Sequence, residues 1–373
     1  MRRFHSLVSL AAAIGIVLTL PLQAHAETLR IAIAGPMSGA LAQYGDMVKA
    51  GVHTAAERIN ANGGAGGRPL EIVEMDDACE PKQAVAVANR IVSQGIRYVI
   101  GHVCSGAALS AVDIYENEGV IMVTPAATAP QITRAKPRKM IFRTIGRDDQ
   151  QGPAAAKYIV ERVKAKRVAV LHDKQSYGQG IATSVKRALD AAKVPVAMFE
   201  GVHAGDTDYS AVITKLKARG IDFVYFGGYH PEMGLLLKQA REQGFSAKFM
   251  GPEGVGNKDL TAIAGASSEG MLLTLPADFA ADPANADVVQ AFRAKGRDLN
   301  GPFQMPAFAA VQVIAEAVAA SKSTDTAMVA KTLRARAFDT PIGKLEYDAR
   351  GDLKAFEFVV FEWHKDASKT IAG

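Results

Sequence analysis

The residues placed to do chemistry in this chain are hydroxyls, small residues, tyrosines and one acid, each just beyond an apolar run. His102-Val103-Cys104-Ser105-Gly106 follows Tyr98-Val99-Ile100, and Thr124-Pro125-Ala126-Ala127-Thr128-Ala129-Pro130 follows Val120-Ile121-Met122-Val123. Ser105 and Thr128 sit in loops with accessible backbone N–H groups. Such groups, with a helix start, can hold a carboxylate. The same residue types serve equally well as helix caps. Later in the chain, Tyr177, Tyr229 and Glu253 also follow apolar runs. An acid in a Gly-Pro-Glu-Gly loop can meet an ammonium, or can be a solvated loop carboxylate. Anion donors in one half, and an acid with aromatics in the other, suit a zwitterion clamped between two lobes.

Catalytic motifs fail by comparison. There is no GxSxG, no Walker A and no HExxH, so no enzyme class is indicated. Gly63-Gly64-Ala65-Gly66-Gly67 lacks GxGxxG register and reads as a turn between helix and strand. His53 and Glu57 stand four apart on a predicted helix and read as a surface pair, not a metal site. Asp76-Asp77 reads as polar groups tying the loop before Cys79, with no second acid or nucleophile placed beside them. Lys and Arg interleave with Glu and Asp on helix faces, which describes a solvated surface and excludes a nucleic-acid groove.

The elements that must position these loops alternate. Leu29–Ala34 reads as a strand, Tyr44–Asn62 as a helix, Leu70–Met75 as a strand, and Pro81–Ser93 as a helix opened by proline. Tyr98–Ile100 and Val120–Val123 read as strands around a helix over Ala107–Glu118. The pattern restarts with a helix over Gln150–Val163, and strands over Arg167–Leu171, Val194–Phe199 and Phe223–Phe226, with helices between them. Short strands near Phe249 and Met271 follow, then a helix-rich stretch over Asp287–Arg336 and last strands near Lys344–Tyr347 and Phe356–Phe361. This predicts an α/β fold of two similar lobes with mostly parallel sheets. Helices late in a chain pack back on an existing sheet. The N-terminal lobe is therefore expected to comprise 27–147 with 277–356, and the C-terminal lobe 148–276 with 357–373.

The first 26 residues read as a leader. A basic head (Met1-Arg2-Arg3) precedes a charge-free apolar run over Leu7–Leu20, and Ala24-His25-Ala26 has a cleavage-site form. The run is short of the roughly 20 residues that span a bilayer. Cleavage takes Lys plus Arg from 43 to 41 against 38 acids, so the net charge falls from +5 to +3. Export makes the only two cysteines, Cys79 and Cys104, a candidate disulfide; two buried thiols are the alternative. Their spacing, with no clustered histidine, excludes a zinc pattern.

The same loops carry a family resemblance. MSGALAQYGD (37–46), DDACEPKQAVAVANR (76–90), YVIGHVCS (98–105), TPAATAP (124–130), QGPAAAKYI (151–159), HDKQSYG (172–178), DFVYFGGYHPEMG (222–234), FMGPEGV (249–255) and GDLKAFEF (351–358) resemble the periplasmic leucine/isoleucine/valine-binding proteins of bacterial ABC importers. The resemblance runs over nearly the whole chain after the leader. It implies a type I periplasmic binding fold, in which two Rossmann-like lobes joined by a three-strand hinge close on one free aliphatic amino acid. It further implies a monomer in the periplasm, without cofactor, that serves a membrane permease; a sensor on the same fold is the alternative. By this resemblance Ser105 and Thr128 hold the α-carboxylate, in a loop that also presents Ala127. The Ala126 carbonyl and Glu253 take the α-ammonium, and Tyr229 closes over the ligand. Tyr44, Val103, Cys104, Tyr177 and Phe303 wall the aliphatic side chain, and Cys79–Cys104 matches the family's disulfide. Two places depart from the family pattern. Gln304-Met305-Pro306-Ala307-Phe308 follows Phe303 where a stretch rich in Trp, Thr or Tyr is expected, with Pro306 at the helix start, and Val103 replaces a common Leu. One methylene in such a pocket is worth about 1–3 kcal/mol, so these positions bear on the order among leucine, isoleucine, valine and phenylalanine.

Overall fold

Two mostly parallel sheets, flanked by helices, form the frame. The structure is a computed structural model that describes residues 27–373. The leader read at 1–26 lies outside the described residues.

The first sheet has five parallel strands, β1 (Leu29–Gly35), β2 (Leu70–Asp76), β3 (Tyr98–Gly101), β4 (Ile121–Thr124) and β5 (Ile141–Arg143). Their order is β2-β1-β3-β4-β5. Strands β3, β4 and β5 are buried at every residue, as covering on both faces requires. The second series runs β6 (Val168–His172), β7 (Val196–Gly201), β8 (Phe223–Gly227), β9 (Lys248–Gly251) and β10 (Met271–Pro276). A hairpin of β11 (Ala337–Thr340) and β12 (Gly343–Glu346) stands apart from both sheets. Then β13 (Phe358–Trp363) and β14 (Lys369–Ile371) return antiparallel on the second sheet, in the order β14-β13-β10-β9-β8-β6-β7.

Each sheet reverses its strand order once, between β1 and β3 and between β6 and β8. Open α/β sheets leave a crevice for ligands there, beyond the carboxyl ends of the strands. The loops singled out in the sequence all leave those ends.

The late helices pack on the first series of elements. Gln304–Ser321 lies along the helix Ala42–Ala61 and against β3 and β4. Thirteen of its eighteen residues are buried, which explains its largely apolar composition. Pro306 falls in its first turn, where a missing N–H costs no helical hydrogen bond. Conversely, the helix Asp148–Tyr158 packs on β10 and β13 of the second sheet. The sequence reading missed β5, β11 and β14, which are three or four residues long. It also set the helix after β3 too late: this helix starts at Ser105.

Two readings of charged residues need correction. His53 and Glu57 do not pair with each other. His53 Nε2 meets Glu74 Oε1 (2.7 Å), and Glu57 meets Arg297 Nη2 (2.6 Å). Nor are all arginines on solvated faces: Arg143 is fully buried at the end of β5. The reading of Asp76-Asp77 is what the structure shows. Asp76 Oδ1 accepts from Ala78 N–H (2.9 Å), and Asp77 Oδ1 from Cys79 N–H (2.8 Å).

Candidate functional site

The loop after β4 is fixed by its own first residue. Thr124 Oγ1 donates to the His102 carbonyl (2.8 Å) and accepts from the N–H of Ala127 (2.9 Å). His102 is itself buried, with Nδ1 on Asp77 and Nε2 on the Tyr115 hydroxyl (2.9 Å). The loops after β2, β3 and β4 are thus tied together, and Cys79–Cys104 bridges the first two with a Cα–Cα distance of 5.4 Å.

Further along the same loop, Ala127 C=O accepts from Arg143 (2.7 Å) and Thr128 C=O from Asp148 N–H (3.0 Å). Ala129 N–H donates to Ser105 Oγ (3.2 Å), and Ala129 C=O accepts from Arg143 (3.2 Å). Two backbone groups between Ala126 and Ala129 are left without a partner among the described residues, the Ala126 C=O and the Thr128 N–H. Buried backbone groups are nearly always paired, so these two are available to a bound molecule.

Opposite this loop stands Glu253, first residue of a short turn after β9 and 1% exposed. Thr128 Oγ1 donates to its Oε1 (3.3 Å), and Oε2 has no partner among the described residues. Burial pushes its carboxyl up to about 7. Asp148, also buried, has two unpartnered carboxylate oxygens. Burial, and then the charge of Glu253, push it well above the ordinary carboxylate range. The Tyr225 hydroxyl is buried and unpartnered as well. This pocket holds two acidic side chains with unused oxygens, and it lies beside unused N–H and hydroxyl donors. A zwitterion matches both.

Aromatic rings form the adjoining wall. Tyr44 lies 5.8 Å from Phe303 and 5.9 Å from Tyr229 between ring centroids, and Tyr229 lies 5.0 Å from Tyr177. Val103, Cys104 and Ala126 belong to the same buried apolar cluster as these rings. Tyr44 comes from the first series of elements and donates its hydroxyl to Gly254 C=O (2.5 Å), while His230 Nδ1 is 2.8 Å away. The two lobes therefore touch across the crevice. Gly254 N–H donates in turn to the Tyr177 hydroxyl (3.0 Å). Only glycine fits at 254, because a Cβ would stand 2.6 Å from the Tyr177 ring and 2.8 Å from Gly228 C=O. Beside the site, a cleft of about 700 Å³ lined by Pro130, Asp148 and Ser176 opens on one flank.

This arrangement is that of a protein that grips a small molecule between two lobes, and comparison with known proteins agrees. The family model described as periplasmic binding protein matches residues 28–367. The chain belongs to the periplasmic binding protein family. It is 57% identical over 345 residues to the leucine-, isoleucine-, valine-, threonine-, and alanine-binding protein of Pseudomonas aeruginosa, covering 92% of each chain. It is 50% identical over 347 residues to the Leu/Ile/Val-binding protein of Escherichia coli K12, covering 93% of this chain and 94% of that one. Among solved structures it resembles a leucine binding protein from Thermotoga maritima, with a TM-score of 0.85 at 28% identity, covering 93% and 98% of the two chains. A branched-chain amino acid transporter substrate binding protein from Streptococcus pneumoniae, in complex with isoleucine, gives a TM-score of 0.85 at 25% identity, with coverage of 93% and 99%. As a periplasmic binding protein the chain is a solute-binding protein and not an enzyme, on the type I fold of two lobes.

In this periplasmic binding protein the structure joins part of the set read from the sequence. Thr128 meets Glu253, Ser105 holds the Ala129 N–H beside it, and Ala127 is held by Thr124 and Arg143. The rings of Tyr44, Tyr177, Tyr229 and Phe303 lie against one another, and Val103, Cys104 and Ala126 belong to the same large buried cluster. Sequence reasoning missed Asp148, His230 and Arg143. Asp148 sits in the Gly-Arg-Asp-Asp-Gln-Gln run, where a charge-rich helix start hid it.

Proposed function

We propose that this protein captures a free aliphatic L-amino acid, namely leucine, isoleucine or valine, between its two lobes. It then delivers that ligand to the membrane permease of an ABC importer. One observation carries the reading: the loop after β4 leaves the Ala126 C=O and the Thr128 N–H unused, facing a buried Glu253 with an unpartnered oxygen. In the proposed complex the α-carboxylate receives the Thr128 N–H and hydroxyl and the Ser105 hydroxyl, at the start of the helix Ser105–Asn117. The α-ammonium donates to the Ala126 C=O and Glu253, with Asp148 nearby. Aimed partners of this kind offset the cost of taking both charges out of water. The branched side chain enters the wall of Tyr44, Val103, Cys104, Tyr177 and Phe303, and Tyr229 closes over it. Burying a side chain of that size is worth about 1.5–3 kcal/mol.

In this reading the mature protein starts at Glu27 after removal of a secretory leader and works as a monomer in the periplasm. Residues 27–147 with 277–356 move against 148–276 with 357–373 about three crossing segments. The names of the curated relatives, which bind leucine, isoleucine and valine, support the ligand class. The test is thermal denaturation of protein stripped of co-purified ligand. Leucine at 100 times its Kd should stabilise the fold by about 2.7 kcal/mol and raise the melting temperature. Absence of any shift with leucine, isoleucine, valine and phenylalanine overturns the reading.

A further inference from the structure

An arginine buried in a protein core is costly unless each donor is met. Arg143, at the end of β5 and 0% exposed, meets this condition in an unusual direction. Its Nε donates to Asp352 Oδ1 (2.8 Å) and its Nη2 to Thr133 Oγ1 (2.8 Å). Its remaining contacts are backbone carbonyls of the ligand loop, Nη1 to Ala127 C=O (2.7 Å) and Nη2 to Ala129 C=O (3.2 Å). Asp352 is just as buried. Its Oδ1 also accepts from Thr133 Oγ1 (2.7 Å), and its Oδ2 meets Arg134 Nε (3.0 Å) and Arg147 Nη1 (3.2 Å). The cluster holds the loop through its two carbonyls, Ala127 and Ala129.

A trans peptide points its C=O and the following N–H in opposite directions. Holding the Ala127 C=O on Arg143 therefore turns the Thr128 N–H to the other side, toward the crevice. The N–H of Ala127 is held by Thr124 Oγ1, and the C=O of Ala126 in the same peptide is turned away from it. The Ala129 grip, with Ala129 N–H on Ser105 Oγ, fixes the next turn of chain.

We propose that Arg143 is a positioning residue for ligand binding. Its planar guanidinium grips the loop through the Ala127 and Ala129 carbonyls and so aims the Thr128 N–H at the ligand, beside the Ala126 C=O that Thr124 sets, while Asp352 ties this grip to the segment that leads into β13. The inference rests on the ligand reading given above. Lysine cannot replace the grip, because one ammonium on a flexible stem lacks the fixed fork that spans two carbonyls and a carboxylate.

The experiment is calorimetric titration of leucine, and of leucinamide, which lacks the carboxylate, into ligand-stripped wild type, Arg143→Lys and Thr133→Val. Wild type is expected to bind leucine and to prefer it to leucinamide. Arg143→Lys should weaken leucine about tenfold, as loss of a charge-assisted hydrogen bond does. Leucinamide, with no carboxylate for Thr128 to receive, should lose less, so the preference shrinks. Thr133→Val keeps the Arg143 charge, removes one hydroxyl from the cluster and serves if the lysine variant does not fold. Its expected loss of leucine affinity is about threefold, with the preference reduced in the same direction. A merely structural defect would weaken both ligands by one factor. An unchanged leucine-to-leucinamide ratio in the folded variants overturns the positioning role alone. Failure of wild type to bind leucine overturns the ligand reading itself.

Discussion

Glu253→Gln should cost the protein at least about 30-fold in leucine affinity and should also flatten the pH dependence of binding. The carboxylate is 1% exposed, and in the proposed complex it is the charge that faces the ammonium. Truncating one partner of a buried, hydrogen-bonded charge pair costs roughly 2–5 kcal/mol. At 1.4 kcal/mol per tenfold that is about 30-fold to several thousand-fold. Glutamine keeps the shape and one carbonyl acceptor, which places the expected loss at the lower end.

The second effect follows from the ionisation of Glu253. Its carboxyl is pushed up by burial to about 7, from an ordinary 4.5. The groups around it are Asp148 and the hydroxyls of Tyr177, Tyr225 and Tyr229. Burial holds the three tyrosines well above their ordinary range, so they stay neutral near pH 7. An ammonium needs the ionised carboxylate. Below pH 7 a proton occupies that carboxylate and must leave when ligand binds; above pH 7 it is already gone. Wild-type affinity should therefore rise about tenfold from pH 6 to pH 8, with proton release that calorimetry in buffers of different ionisation enthalpy detects. Glu253→Gln should flatten this slope, and what remains belongs to Asp148, whose carboxyl burial also raises. A variant that binds leucine within threefold of wild type at pH 8, or that keeps the wild-type pH profile, refutes the assigned role.

Other predictions follow from the same geometry. Tyr44→Phe removes the hydroxyl that joins the lobes through Gly254 and His230; leucine affinity should fall about threefold to tenfold by calorimetry, with little change in the unfolding of ligand-free protein. Cys79→Ser opens a crosslink of 25-residue separation, so chemical denaturation should show a loss of roughly 3.5 kcal/mol. Burial alone would raise the Asp352 carboxyl, but Arg143, Thr133, Arg147 and Arg134 outweigh it and hold the group below its ordinary value. A depressed carboxyl stabilises the fold above its unfolded value near 4 and loses that contribution as pH falls through the folded value. The stability gap between wild type and Asp352→Asn, measured by thermal melts, should thus be full at pH 7 and narrow as pH falls below the ordinary carboxylate range.

Much of the frame was legible because strand-helix alternation and apolar runs report burial directly. Ile31, Ile33, Val99 and Ile100 are fully buried, and their runs fixed the strands and hence the strand-end loops. Ser105, Thr128 and Glu253 could be picked out for the same reason. Arg143 and Asp148 could not. Composition treats a charged residue as a surface residue, and what makes these two different is partners far away in sequence, such as Asp352 for Arg143. The orientation of three successive peptides, which leaves the Thr128 N–H free, is set by Thr124, Arg143 and Ser105 from three segments and has no local signature. The strands β5 (Ile-Phe-Arg), β11 (Ala-Phe-Asp-Thr) and β14 (Lys-Thr-Ile) escaped because they are short and mix polar with apolar residues, whereas the equally short β3 and β4 stand out as apolar runs.

The order in which the chain visits its two sheets has a consequence for how the molecule is assembled. When the first 147 residues have been made, the first sheet has all five strands, yet the helix Gln304–Ser321 that covers β3, β4 and the helix Ala42–Ala61 does not exist. When β10 has been made, the second sheet still has a bare edge that waits for β13, more than 80 residues later in the chain. Neither half can be finished before the far end of the polypeptide arrives. Closing contacts over such separations is slow, because the entropy of long loops must be met before the contacts reward it. Completion of both halves is thereby deferred until the last segments of the chain have been made.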